Sequence, residues 1–336
     1  MGVSKLQLLA KGRNIRPMLI IQGAISLGIL WSIMTIGVYL TYRLLEMPDL
    51  SVEGTIILGA AVAARIISQG FGSSFIDLMS RLGGFGQFVI SHQQNPYLAT
   101  LLALLVGCLG GLVTGVLHTK FLIPPILAGI LTMVASYSVV IRIMGTSNIP
   151  LVRVTNVFTF LQERGLTRPI SIIAFSSVIT IVVGALLFWF FSTEMGCAIR
   201  ATGNNRQMVK AQGVNTDAAI IICLMLSNGL VGLAGALIAQ SQGFASVDMG
   251  TGTIVIGLAS VIIAEVLFRV RSFWGRLISL VVGAILYRLI IALVLEMGMA
   301  PTDLRLFQAI TVAFALILPI IRDRIIKLRK LRGWRA

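Results

Sequence analysis

Long apolar runs, nearly free of charged residues, are the feature that most constrains how this chain can fold. An α-helix rises about 1.5 Å per residue, so roughly 20 apolar residues are needed to cross the hydrocarbon core of a bilayer. Nine runs approach or exceed this length: 18–42, 54–69, 97–118, 122–144, 169–192, 217–240, 251–268, 277–296 and 304–321. They predict an all-α, polytopic transmembrane helical bundle of about eight to ten spans.

The composition excludes a soluble protein. Of the 336 residues, 57% are hydrophobic and only 12% are charged, whereas a typical soluble domain has about 25% charged residues. Such a chain has too little polar surface to cover an exterior that faces water. Most of its surface is therefore expected to face lipid or other helices.

The net charge of +15 is concentrated in short segments beside the apolar runs. This pattern is typical of topology signals that retain loops in the cytoplasm, and it argues against nucleic-acid binding. It divides the chain into a basic N-terminal extension (1–17), a transmembrane domain (18–321) and a basic tail (322–336). The seven bases of the tail predict a cytoplasmic C-terminus.

The two termini give conflicting orientations. Nine full spans would place the N-terminus outside, whereas the four bases of residues 1–16 indicate the inside. The short run at 54–69 is therefore interpreted as a half-span or re-entrant piece. The segment 70–96 is expected to be an irregular loop with one short amphipathic helix.

Motifs for catalysis and for metal or cofactor binding are missing from the sequence. There is no GxxxxGK(S/T) phosphate loop, no HExxH and no convincing hydrolase triad. The three cysteines show no CxxC spacing, and two histidines are too few for a His-rich metal site. We expect no catalytic residue, metal or cofactor in this chain. If transport uses ATP, a partner must hydrolyse it.

The loop at 193–217 contains the pattern of a short helix. Asn204 or Asn205 can cap its N-terminus, residues 205–212 are good helix formers, and Gly213 can end it. Met208 would lie on a face suited to docking in a groove on a soluble partner. The alternative is a solvated connector that only joins two spans.

Three motifs around this loop carry a family resemblance. They are EMGCAIRATGNN (194–205), AQGVNTD (211–217) and SNGLVGLAGAL (227–237). Together with PDLSVEG (48–54) and PPILAGILTM (124–133), they resemble the permease subunits of bacterial ABC importers for branched-chain amino acids and ribose-type sugars. Within that family, residues 121–133 and 142–151 are most similar to the tryptophan-type, or uncharacterised amino-acid, subgroup.

The resemblance implies a type II ABC importer permease fold and ATP-driven import of an amino acid or similar small polar solute. It implies that the 193–217 loop contacts the ATPase through Glu194, Gly196, Arg200, Ala201, Gly203, Asn204, Asn205, Met208 and Gly213. ATP and Mg would bind to that partner. The other implied partners are a second permease chain, identical or paralogous, and an extracytoplasmic solute-binding protein. The implied location is the bacterial cytoplasmic (inner) membrane.

Polar residues within or beside the apolar runs are candidates for the translocation path, because such groups are costly in lipid and are expected to face inward. They are Asp49, Ser51, Glu53, Thr132, Ser136 and Asn228. The alternatives are a helix N-cap for Asp49 and interhelical hydrogen bonds for Thr132, Ser136 and Asn228.

Three further charged residues lie in or beside the apolar runs. Glu265 and Arg269 are spaced for an ion pair, and Arg288, in the middle of a run, needs a polar partner.

Two other functions remain open. One is a sugar importer of the same family, although Glu53 stands where sugar permeases usually have glycine. The other is a secondary transporter or channel without an ATPase, but no run carries a series of acids suited to a proton relay.

Overall fold

A computed structural model describes residues 3–70, 94–152, 154–268, 270, 272–296, 306–314 and 317, with side-chain environments from residue 20 onward. Its longer helices are α1 (Val3–Tyr39), α2 (Ser51–Gln69), α3 (Pro96–Thr119), α4 (Pro125–Met144), α6 (Arg168–Phe191), α9 (Thr216–Gln242), α10 (Thr253–Leu267) and α11 (Phe273–Glu296). Shorter helices are α5 (Thr159–Glu163), α7 (Glu194–Asn204) and α8 (Arg206–Ala211). A π-helical segment (Leu40–Leu44) continues α1, and a 3₁₀ turn (Val247–Gly250) precedes α10.

Eight helical segments of the described chain are long and apolar enough to cross a membrane. The all-α prediction is confirmed, and the ends of these eight spanning segments lie within about four residues of the predicted runs, although helix α1 itself begins earlier, at Val3. The ninth run, 304–321, is helical at 306–314 and otherwise lies largely outside the described residues. The amphipathic helix expected within 70–96 lies outside them as well.

The shortest run forms a longer helix than predicted. α2 has 19 residues, so it is long enough to cross a membrane and longer than the run on which the half-span interpretation was based. That this piece is re-entrant stays a prediction. Ser51 and Glu53 lower the hydropathy of its first turn, yet both belong to the helix. The polar start of α2 packs inside the protein instead of facing lipid.

The core of the bundle is the crossing of α2 and α9. Of the spanning segments, the most apolar stretches of α2 and α9 are 83% and 78% buried, against 28% for α4, and that of the first span, Ile20–Leu44, which packs beside them, is also 83% buried. A β-carbon on Gly59 or Gly235 would overlap the backbone of the opposite helix. Small residues permit this close approach where lipid supplies no hydrophobic drive for association.

The bundle has two distinct ends. At the loop end, the 193–217 loop meets the last turn of the first span, where Gly203 lies against the Leu44 carbonyl. That span runs from Ile20 for 25 residues, about 37 Å of helix, so Ile20 lies at the opposite end. If all nine runs cross the membrane, the N-terminus is expected at the end opposite the 193–217 loop, where Ile20 lies. The bases of residues 1–16 instead predict an N-terminus on the same side as the loop.

The opposite end carries a two-stranded antiparallel ribbon, and we call it the ribbon end. β1 (Asn148–Pro150) pairs with β2 (Phe244–Ser246), with Ile149 opposite Ala245. The buried Gln240 side chain ties this end together: its Nε2 donates to Thr100 Oγ1 at 2.9 Å, and its Oε1 accepts from the Val157 amide at 3.1 Å. The ribbon therefore closes one end, and the 193–217 loop forms the other.

Candidate functional site

Two capped helices make up the 193–217 loop. Asn205 caps α8 by accepting a hydrogen bond from the Met208 amide at 3.0 Å, as predicted, while Asn204 is the last residue of α7. Gly213 follows the end of α8, as predicted, and its φ of +83° is the left-handed conformation in which glycine commonly ends a helix. Sequence reasoning missed α7, whose signal was Thr193: its hydroxyl accepts from the Gly196 amide at 3.4 Å.

α7 is docked directly beneath the spans. β-carbons on Gly196 and Gly203 would overlap the backbone at Phe191 and Leu44, respectively. Arg200 donates from Nη2 to the Phe191 carbonyl at 2.7 Å, which ties α7 to the last residue of α6. A displacement of α7 must therefore move the ends of two spanning segments.

α8 is attached more loosely and faces solvent. Within α8, Val209 is buried, whereas Met208 is 52% exposed. Arg206 and Asp217 form an exposed ion pair at 2.9 Å across the loop. Of the nine residues assigned to ATPase contact by resemblance, the exposed ones are Glu194, Asn204, Asn205, Met208 and Gly213, while Arg200, Ala201 and Gly203 are half-buried and Gly196 is buried.

A cavity of about 350 Å³ separates the loop from the first break between spans. Glu46 and Met47 line one side of it, and Thr202, Gly203 and Arg206 line the other. Glu46 has φ +54°, an uncommon conformation for a residue other than glycine. The break at 45–50 is thus strained and partly unpacked on the side that faces α7.

Three predicted path residues meet at the start of α2. Asp49 Oδ1 accepts from the Ser51 amide at 2.9 Å and from its hydroxyl at 2.6 Å. Asn228 of α9 donates from Nδ2 to Asp49 Oδ2 at 2.8 Å. Thr55, which sequence reasoning did not identify, donates to Asn228 Oδ1 at 2.7 Å. These contacts join α2 to α9 within one polar cluster.

The polar cluster of Asp49, Ser51, Thr55 and Asn228 is closed in this conformation. Asp49 is 4% exposed, and the other three are fully buried. Buried polar groups stabilise a fold only when they are hydrogen-bonded, and these are. Leu50, not Asp49, is the N-cap residue of α2, although the Asp49 side chain accepts from the amide of Ser51, the first residue of that helix. The interhelical hydrogen bond expected as the alternative for Asn228 is present in this conformation.

The side chains of the remaining path candidates make their hydrogen bonds outside the cluster. Thr114 of α3 donates to Thr132 Oγ1 at 2.9 Å, and Ser136 donates to the Thr132 carbonyl at 2.8 Å. Both Thr132 and Ser136 are buried in α4. Glu53 is half-buried and accepts from the Gly252 amide at 3.0 Å, where its charge favours the N-terminus of α10.

The other charged residues singled out from sequence find partners different from those expected. Glu265 pairs with Arg43 at 2.9 Å, while Arg269 lies outside the described residues. The Arg288 guanidinium stacks over the Trp31 ring, 4.0 Å from its centroid. A cation–π contact of this kind partly compensates a charge held inside a span.

Comparison with known proteins decides the family. A family model described as "Branched-chain amino acid transport system / permease component" matches residues 20–320. The chain belongs to this permease family of ABC transport systems. It is accordingly a multi-pass membrane protein that works as a transport subunit, not as a catalytic enzyme. No solved structure matches it significantly.

The relatives include amino-acid and sugar permeases. The tyrosine transport system permease protein of Clostridioides difficile (strain R20291) is 38% identical over 285 residues, covering 85% of this chain and 86% of that protein. The ribose import permease protein of Escherichia coli (strain K12) is 24% identical over 230 residues, covering 68% and 71%. An autoinducer 2 import permease of Escherichia coli (strain K12 / DH10B) is likewise 24% identical. The amino-acid-type relative is clearly the more similar.

Proposed function

We propose that this chain is the permease of an ATP-driven importer for an amino acid of the tyrosine type. The observation that carries the substrate class is the 38% identity to a tyrosine permease over most of both chains, against 24% to the ribose permease. Glu53 supports the same class, because its carboxylate caps α10 at a position where sugar permeases usually have glycine.

We further propose that the loop end faces the cytoplasm, together with the basic C-terminal tail. The ATPase, which would hold ATP and Mg, then docks on the exposed Met208 face of α8. Since each of two ATPase subunits needs one such loop, the permease works as a pair with an identical or related chain. A solute-binding protein would deliver substrate at the ribbon end.

The contacts of the loop indicate how a movement of the ATPase subunits would be transmitted to the translocation path. Force on α8 passes to α7, because Asn205 is both the C-cap of α7 and the N-cap of α8. Gly203 of α7 presses on the Leu44 carbonyl at the end of the π-helical segment. Residues 45–50 then lead directly to Asp49 and the polar cluster between α2 and α9. Opening this cluster would expose polar groups to a solute.

Transport in proteoliposomes tests the proposal. The chain is reconstituted with the ATPase and the solute-binding protein with which it assembles, and uptake of radiolabelled L-tyrosine and D-ribose is measured with and without ATP. We expect ATP-dependent uptake of tyrosine at least about tenfold faster than that of ribose. Faster ribose uptake would favour a sugar importer. Equal uptake without ATP, driven by an ion gradient, would contradict an ABC mechanism.

A further inference from the structure

A polar cavity of about 280 Å³ lies at the loop end of the bundle, apart from the polar cluster and the 193–217 loop. It lies between the end of the first span and the facing ends of α10 and α11. Its polar lining comes from Tyr39, Arg43, Glu265 and Arg276, and its apolar lining includes Phe268 and Leu280. No residue assigned to transport or to ATPase contact lines it.

One wall of this cavity holds a buried polar group without a partner. Tyr39 is 2% exposed, and its hydroxyl makes no hydrogen bond with any residue that the structure describes. Leaving a hydroxyl unpaired away from water costs about 1–3 kcal/mol. Because Tyr39 lines the cavity, a ligand that accepts a hydrogen bond there would remove this cost.

The charges around the cavity favour an anion. Among the described residues that line it, Arg43 and Glu265 neutralise each other at 2.9 Å, which leaves the charge of Arg276 in excess. Arg276 Nε donates to the Val270 carbonyl at 3.3 Å, and its two terminal nitrogens make no hydrogen bond to the described residues. A guanidinium with free donors is well suited to bind a phosphate. The cavity thus offers a net positive charge and an unpaired hydroxyl.

The position of the cavity points to a lipid. Arg43 is next to Leu44, which contacts Gly203, so the cavity lies at the depth where the spans meet the headgroups. Phe268, an apolar residue that lines the cavity, is 40% exposed, as lipid-contacting residues are. Basic pockets between helix ends on the cytoplasmic side commonly hold anionic headgroups.

We propose that this cavity binds the phosphate of an anionic phospholipid, with Arg276 and the Tyr39 hydroxyl as donors and with Phe268 and Leu280 against the start of the acyl chains. The assignment to the cytoplasmic leaflet rests on the proposed function, whereas the binding itself does not. A bound lipid would join the end of the first span to α10 and α11.

Lipid binding to the purified full-length chain in detergent tests the proposal. Native mass spectrometry follows titration with dioctanoyl phosphatidylglycerol, with dioctanoyl phosphatidylcholine, and with inorganic phosphate as competitor. We expect one saturable phosphatidylglycerol per chain, bound at least about fivefold more tightly than phosphatidylcholine. Arg276→Gln and Tyr39→Phe should each weaken it at least about threefold, in line with the loss of one charge-assisted or one neutral hydrogen bond.

Matched controls keep the test specific. Arg164→Gln removes a cation outside the cavity, and Tyr42→Phe removes a hydroxyl from an exposed tyrosine of the π-helical segment that does not line it. Both should bind phosphatidylglycerol as the unchanged chain does. Equal weakening by the controls, or equal binding of phosphatidylcholine, would overturn the site.

The remaining measurements distinguish a lipid from a free anion, and they keep the lipid proposal separate from the proposed transport function. Displacement of the lipid by millimolar inorganic phosphate would assign the cavity to a free anion and overturn the lipid assignment. Because Arg276 is exposed, Arg276→Gln should still fold if Tyr39→Phe does not. The assay needs neither ATPase nor substrate, so a failure of transport leaves it intact, and a failure of lipid binding does not affect the transport measurement.

Discussion

At the scale of residues, the contact between Gly203 and Leu44 depends on the absence of a side chain at position 203. The α-carbon of Gly203 lies against the Leu44 carbonyl so closely that a side chain has no room. A family motif marks the residue in the sequence, but the partner lies 159 positions earlier and no local pattern names it. At such a contact the residue must be small because there is no space for a side chain, not because the backbone conformation requires glycine.

Replacement of Gly203 by valine tests that contact. Overpacking typically costs about 1–3 kcal/mol, and here it must push α7 away from the first span. We expect substrate-stimulated ATPase activity of the assembled transporter to fall at least about fivefold, with membrane insertion retained. Gly23→Ala is the control, since nothing lies within 4 Å of the β-carbon it adds. Unchanged stimulation in Gly203→Val would remove this contact from the coupling route.

Arg200→Glu tests the second attachment of α7. The Nη2 donor to the Phe191 carbonyl at 2.7 Å is replaced by an acceptor, so two acceptors would face each other. Stimulated ATPase activity should be lost, while Arg200→Lys should retain part of it because it keeps a donor and the charge. Basal ATPase activity of the complex serves as the reference. Full activity in Arg200→Glu would show that this hydrogen bond is dispensable.

Asp49 is the residue on which the polar cluster depends. Asp49→Ala would leave the Ser51 amide without its side-chain acceptor and one Nδ2 hydrogen of Asn228 unpaired, while Asn228 keeps its bond to the Leu224 carbonyl. Each unpaired group costs about 1–3 kcal/mol, so the midpoint of thermal unfolding in detergent should fall by several degrees. Asp248→Ala, at an exposed position, should leave it unchanged. Equal midpoints for Asp49→Ala and the unchanged chain would show that the cluster does not stabilise the fold.

At the scale of elements, hydropathy predicted the spans well because each run must satisfy a fixed bilayer thickness. It underestimated α2, because Ser51 and Glu53 are polar yet belong to the helix. Local capping signals predicted α8 and the turn at Gly213. They did not predict α7, because its sequence contains two glycines and a threonine, which have low helix propensity. The link between Asp49 and Asn228 joins residues 179 positions apart, and such pairing is not encoded locally.

The Asn205 cap makes the link between α7 and α8 testable. Asn205→Ala removes the acceptor for the Met208 amide and should destabilise α8 by about 0.5–2 kcal/mol, whereas Asn205→Asp restores a cap. Hydrogen exchange at 206–211 should therefore speed up in Asn205→Ala and return to normal in Asn205→Asp, and stimulated ATPase activity should follow the same order. Identical exchange in all three chains would mean that the cap does not hold the loop.

At the scale of the whole molecule, α2, α9 and the first span are shielded inside the bundle, and the outer helices face lipid. α2 and α9 meet through glycines and share the polar cluster, while α3, α4, α6 and α11 expose apolar faces. The 193–217 loop reaches this centre through the first span, whose end lies between the loop and Asp49. The chain belongs to a permease family, and a transport subunit driven by a separate ATPase needs contacts that connect the docking loop to the centre of the bundle. This arrangement provides such contacts.

Disulfide cross-linking across the permease–ATPase boundary tests the central claim most directly. Met208→Cys, in a chain whose three native cysteines are replaced by serine, is paired with single cysteines across the groove face of the partner ATPase. We predict a cross-link from position 208 whose yield changes between nucleotide-free and ATP-bound states, and none from Val152→Cys, which is 79% exposed beside the ribbon. A cross-link from position 152, or none from position 208 in either state, would contradict the account.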